Sequence, residues 1–148
     1  MATVEAAVEI AAAPADVWEL YFDADRWPSW VDGFGRVDAA DGYPEQDGTL
    51  VWSSVAAGRG SVRERVIAHE PRTLHRIAFS DPESAGELTT RFAVEGDGTR
   101  VTLELEYRLA SGGPLTWVTD RVFVRSQMRE SLRRTLARYR LEVEDLAG

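Results

Sequence analysis

Residues 100–110 read "RVTLELEYRLA", and their alternation is unbroken. Val101, Leu103, Leu105, Tyr107 and Leu109 fall on one side, Thr102, Glu104, Glu106 and Arg108 on the other. A period of two sends these sets to opposite faces of a strand, so one face must meet an apolar partner and the other water. The partner is next in the chain. After "SGGP" at 111–114, residues 115–146 contain no proline or glycine, and Met128, Leu132, Leu136, Tyr139, Val143 and Leu146 recur at steps of three and four. That spacing predicts a long helix, about 48 Å if unbroken at 1.5 Å per residue. Its beginning, "PLTWVTDRVFV", is apolar on several sides and rich in β-branched residues, which suits a bent end or a separate turn.

Working back from this pair, strand signals come in series: "TLVWSSVA", "SVRERVIAH", "TLHRIAFS", "ELTTRFAVE" and a weaker "RVDAA". Between them stand "DGYPEQDG", "AAGRG", "EPR", "DPESAG" and "GDG", connections short enough for antiparallel hairpins and too short for βαβ crossovers. At the start, Val4, Ala6, Val8 and Ile10 alternate with Thr3, Glu5 and Glu9 as a half-buried strand. The period then changes at "APADVWELYFD", where Pro14 can open a helix carrying Val17, Trp18, Leu20 and Tyr21. A second short helix or turn holds Trp27, Pro28 and Trp30, closed by Gly33 and Gly35. The predicted order is strand, two short helices, about six strands, one long helix. A single helix about 10 Å wide does not fill a strongly curved sheet. The remainder is plugged by side chains or left as a pocket.

Composition narrows the function classes. The 148 residues fit one domain spanning 1–148, and a chain this long buries roughly 68–70% of its extended surface without staples. There is no cysteine, which removes disulfides, thiol catalysis and cysteine metal sites, and all 17 basic residues are arginine, which removes lysine chemistry. The formal net charge of −8 argues against a sequence-independent nucleic-acid binder and against docking on anionic lipid. No basic leader opens the chain and no run of 18 apolar residues exists, so a cytoplasmic protein without membrane insertion is expected.

The order of elements, with "VEIAAAPADVWELYFDADRWPSWVDGFGRVD" at the start and "EPRTL" between two strands, resembles the START-like (SRPBCC) superfamily. It is most similar to the bacterial polyketide cyclase/dehydrase branch. The resemblance spans nearly the whole chain. It implies an α+β helix-grip fold, a curved antiparallel sheet of about seven strands around the long helix with a hydrophobic cavity between them. It implies no universal catalytic motif, and "RWPSW" would close one end of the cavity. A buried Trp removes roughly 150–250 Å² from water, worth about 4–6 kcal/mol, so an anchoring role accounts for either indole. Trp30 is expected to be the anchor and Trp27 to sit nearer the rim.

Glu64 is the most informative polar residue. It shares a parity with Val62 and Val66, opposite Arg63 and Arg65, and would face the helix, although Ile67 on the other parity leaves an inverted strand or an arginine pair open. A carboxylate in an apolar cavity has a raised pKa and can act as acid, base or anchor. His75 shares a parity with Ile77 and Phe79, against Leu74 and Ala78; His69 ends its strand and is expected to be exposed. Two separated histidines make no zinc motif, no G-x-S-x-G elbow surrounds a serine, and "GRG" and "GDG" precede no helix, so no metal and no cofactor are expected. Arg121, Arg125, Arg129 and Arg133 recur every four residues as a solvated face, with Glu130 and Arg134 as an i,i+4 pair; Arg121 and Arg125 lie near enough to the helix start to reach a ligand carboxylate.

By parity and helix phase, Trp52, Phe92, Leu103, Leu105, Tyr107, Met128 and Leu132 line the space between sheet and helix. The favoured function is binding of a small hydrophobic molecule there, aromatic or polyketide-like. The first alternative is an enzyme of cyclase or dehydrase type using Glu64, since closing a poly-β-ketone needs a shaped cavity and one base. The second is a non-catalytic protein-interaction domain contacting its partner through the arginine stripe. A homodimer is compatible with all three.

Overall fold

The computed structural model describes residues 1–56, 58–109 and 117–147, the side chains of 117–121 excepted. Strand β1 (Ala2–Ile10) is followed by helix α1 (Pro14–Tyr21), a 3-10 turn (Ala24–Arg26) and helix α2 (Trp27–Trp30). Strands β2 (Phe34–Asp41), β3 (Thr49–Ser54), β4 (Ser61–Glu70), β5 (Leu74–Ser80), β6 (Ser84–Glu95) and β7 (Gly98–Leu109) lead to helix α3 (Trp117–Ala147). The seven strands form one antiparallel sheet in the order β1-β7-β6-β5-β4-β3-β2. Only β1 leaves its chain neighbours, to pair with β7 from Ala2 opposite Tyr107 to Ile10 opposite Thr99. This is the helix-grip arrangement of a curved sheet around a long helix.

The alternation is reproduced in the burial of β7 from Val101 to Tyr107, while Leu109, expected on the same face, is 38% exposed at the strand end. Val101, Leu103, Leu105 and Tyr107 are buried, and the intervening Thr102, Glu104 and Glu106 are half-exposed. Helix α3 packs against β1, α1 and α2 and buries Leu132, Leu136, Tyr139 and Val143. The apolar stripe stops there. Leu146, expected to continue it, is 51% exposed because the last turn outruns the layer it covers.

Two irregularities shape the sheet. Strand β2 shifts register at Phe34/Arg36 and again at Val37/Ala39, so its inward set is broken up and only Phe34 is buried. That is why "RVDAA" gives so weak a signal, and bulges suit an edge strand. In β6, a Cβ on Gly86 would meet the Glu106 carbonyl oxygen at 1.9 Å. Only glycine allows β6 and β7 to approach this closely beside Tyr107.

The long helix is fixed by polar ties as well as packing. Asp32, just after α2, accepts hydrogen bonds from Ser131 Oγ (2.8 Å), Arg134 Nη2 (3.1 Å) and Arg138 Nη1 (3.3 Å), and its N–H donates to Thr135 Oγ1 (3.0 Å). The Arg134 and Ser131 hydrogen bonds hold its carboxyl below the usual range against the opposing effect of burial. The expected Glu130–Arg134 pair gives way to this one; Glu130 meets Arg133 at 3.8 Å instead. At the other end, Glu144 Oε2 accepts from the Ala11 N–H at 2.8 Å, seating α3 on the turn after β1.

Candidate functional site

The concave face of the sheet brings several of the sequence-predicted residues together. Val62 and Val66 are fully buried and Glu64 lies between them on the same side, while Ile67 is on the outer face and 38% exposed. The parity reading of β4 therefore holds and the strand is not inverted. Glu64 stands opposite Leu50 on β3 and Phe79 on β5. Its Oε2 accepts a 2.8 Å hydrogen bond from Trp52 Nε1, the diagonal neighbour across the β3–β4 pair. Burial raises the Glu64 pKa; the Trp52 hydrogen bond and the charge of Arg59 pull the other way. Unlike Val62 and Val66, Glu64 is only half-buried and keeps contact with solvent. It is the single charged side chain on the inward parity of β3, β4 and β5 among the described residues.

Aromatic rings surround this carboxylate. Tyr21, at the end of α1, shares a 2.7 Å hydrogen bond with Thr90 Oγ1 on β6. Tyr43, in the β2–β3 connection, packs edge-on to Trp27 (5.8 Å) and His75 (5.7 Å). Desolvation raises the pKa of both phenols; the Thr90 hydrogen bond opposes this at Tyr21, and the charge of Glu64 raises both further. Both tyrosines are half-buried. They present neutral hydroxyls at neutral pH, donors rather than nucleophiles.

The histidines form a pair. His75 points inward, 2% exposed, and its Nδ1 lies 3.0 Å from His69 Nδ1, one ring donating to the other. His69 was expected at the surface. A register shift between Val66 and Ala68 turns it inward, where it packs on Trp18 (5.0 Å) and Phe22 (5.2 Å). One extra residue reverses the parity of everything after it, and no pattern in "SVRERVIAH" marks the bulge. Burial, with the neighbouring His69, lowers the His75 pKa to about 3, so the ring is neutral. His75 Nε2 and Trp30 Nε1 are buried without a hydrogen-bond partner.

Both α2 tryptophans are buried. Trp30 meets Tyr139 at 4.5 Å and is the expected anchor. Trp27 is 6% exposed, not at a rim, because its Nε1 donates to the Tyr21 carbonyl (2.8 Å) and its ring is wedged between Phe34 and Tyr43. Trp52, Phe92, Leu103, Leu105, Tyr107 and Leu132 are buried, and Met128 packs partly against the same core. Arg125 is exposed on α3. The Arg121 side chain lies outside the described residues. Sequence reasoning passed over Tyr43, Thr90 and Arg59. Tyr43 and Arg59 sit in stretches that read as turns, and Thr90 in a strand whose polar residues looked solvated.

A groove of about 660 Å³ is bordered by Val51, Arg63 and Arg65 and also by Leu50, Glu64 and Phe79; none of the tyrosines or histidines above lines it. No cluster of three or more His, Cys, Asp or Glu suited to a metal occurs among the described residues, and none of their helices is long and apolar enough to cross a membrane.

A family model described as polyketide cyclase/dehydrase and lipid transport matches residues 1–144. Among solved structures, protein TTHA0849 of Thermus thermophilus is 27% identical, with 99% of this chain and 100% of that one covered and a TM-score of 0.71. Protein CV1439 of Chromobacterium violaceum is 14% identical, covers 96% and 97%, and has a TM-score of 0.72. The di-domain aromatase/cyclase StfQ of the steffimycin biosynthetic pathway reaches a TM-score of 0.80 at 13% identity, over 99% of this chain and 51% of its own. At 13–14% identity the last two speak for the fold alone. No curated protein matches the sequence.

Proposed function

We propose that this chain, which belongs to the polyketide cyclase/dehydrase and lipid transport family, binds a small, largely apolar molecule, aromatic or polyketide-like, between the sheet and α3. Glu64 carries the reading. A carboxylate flanked by two fully buried valines, with one hydrogen bond and residual solvent contact, is costly for a core that only has to be stable. The neutral hydroxyls of Tyr21 and Tyr43, two partly buried residues that feel the charge of Glu64, suit a ligand with neutral oxygen groups on a planar body. Titration with a panel of aromatic compounds should quench tryptophan emission, Trp52 being the indole bonded to Glu64. Unchanged emission across the panel counts against the site.

One observation favours a second reading, catalysis of cyclase or dehydrase type. Burial raises the Glu64 pKa above the usual carboxylate range, which makes it a stronger base than an exposed carboxylate. Glu64 would remove the proton α to a ligand carbonyl, and the Tyr21 and Tyr43 hydroxyls would hold the carbonyl oxygen. Glu64→Gln separates the two readings: catalysis predicts lost turnover with binding kept, and a carrier predicts no turnover in either form.

A further inference from the structure

Trp52 has a charged group on two sides. Glu64 accepts from its indole N–H, and the guanidinium carbon of Arg59 lies 5.4 Å from its ring centroid and 5.1 Å from that of Phe79. Arg59 comes from the β3–β4 turn, between Gly58 and Gly60, and its side chain is 43% exposed. It caps two rings that are themselves only 5% and 6% exposed. Its Nε donates to Asp81 Oδ2 at 2.8 Å. The N–H groups of Glu83 and Ser84 donate to Asp81 Oδ1, and the Ser84 hydroxyl at 3.0 Å is the donor left to Oδ2 if Arg59 swings outward.

Ring faces attract cations, and a carboxylate at the rim of the same indole strengthens that field. The alternative, that Arg59 reads a ligand anion, is opposed by Glu64 at close range and by Asp81, which already engages the guanidinium. We propose that Trp52, Phe79 and Glu64 form a site for an organic ammonium group carried on an apolar body, and that the ligand's cation takes the place of Arg59 over the two rings. This rests on the concave face being a ligand site and names the class of head group it takes. It adds a charge preference that a merely greasy cavity does not have.

The test compares benzyltrimethylammonium with its neutral isostere neopentylbenzene and with 3-phenylpropionate, by tryptophan fluorescence and calorimetry. The wild type should bind the ammonium about tenfold more tightly than the isostere. Glu64→Gln, which keeps an acceptor for Trp52, should reduce that preference to about threefold or less. Arg59→Ala, at an exposed turn position, should tighten ammonium binding about threefold by removing the internal competitor. Equal affinity for ammonium and isostere overturns the proposal while leaving an apolar ligand site standing. So does tightest binding of the carboxylate, or ammonium binding weakened by Arg59→Ala, either of which assigns Arg59 to an anionic ligand. Failure of all three probes to bind overturns both readings.

Discussion

Where α2 meets α3, the interior is closed: Trp30 is 3% exposed, Tyr139 and Val17 are 0%, and the Tyr139 hydroxyl donates to the Val17 carbonyl. At β3 and β4 the same concave face is built from Trp52, Glu64 and the cap of Arg59, with Glu64 half-buried. The first region packs ring against ring, Trp30 tilted on Tyr139 at 4.5 Å. In the second, burial holds a carboxyl above its ordinary pKa against the hydrogen bond it accepts from Trp52. The all-aromatic packing and the proposed ligand site thus lie at different ends of one layer. Substitutions at the closed end should act on unfolding, and those at the other on binding.

The strongest challenge to this contrast is Trp30→Ala. Removing a fully packed indole should cost about 3–5 kcal/mol, read as a lower midpoint in urea. A loss under about 1 kcal/mol would show that the closed end is not the anchor.

Acidification tests the region between the two ends. His75 has a folded pKa of about 3, below the ordinary value of 6.5, so its neutral form contributes stability that is complete above pH 6.5. That stability falls as pH drops from 6.5 toward 3, because the unfolded chain takes up the proton first. By pH 5 the loss should be about 2 kcal/mol from this residue alone. Urea unfolding of wild type and His75→Asn across this range should show the slope in the first and its reduction in the second.

A smaller effect is expected at Asp32. Asp32→Ala removes the acceptor for Ser131, Arg134 and Arg138 and should cost about 1–2 kcal/mol, less at high salt because both arginines are partly exposed. Ligand affinity should not change.

The smallest stability effect, and opposite in sign, is expected from Glu64→Gln. The folded pKa of Glu64 is raised, so ionisation at neutral pH works against the folded state, and protonation relieves this as pH falls. The amide variant should be slightly more stable than wild type at pH 7, with the difference shrinking on acidification. A loss of stability at pH 7 would instead make Glu64 part of the core.

How much of this was legible in the chain differs by element. The alternation of residues 100–110 and the stripe from Leu132 to Val143 pointed to a sheet and its covering helix, and both are observed. Glu64 was legible from its place between Val62 and Val66, because parity survives as long as the strand stays regular. His69 was not, because the bulge at Val66/Ala68 inverts parity without a residue that announces it. Tyr43 and Arg59 were hidden for another reason: their stretches carry turn residues, and what a turn touches depends on which elements lie above it.

The sequence by itself determined the layers, through periods of two and of three to four that each element must satisfy against one apolar face. It also excluded thiol and lysine chemistry by composition. Only the tertiary structure decided which polar groups meet. Trp52 and Glu64 are twelve residues apart, Tyr21 and Thr90 sixty-nine, and Asp32 and Ser131 ninety-nine. Local propensity carries no information about such distances. They are set when strand register and helix docking bury the apolar faces together, and the polar side chains find their partners within that geometry.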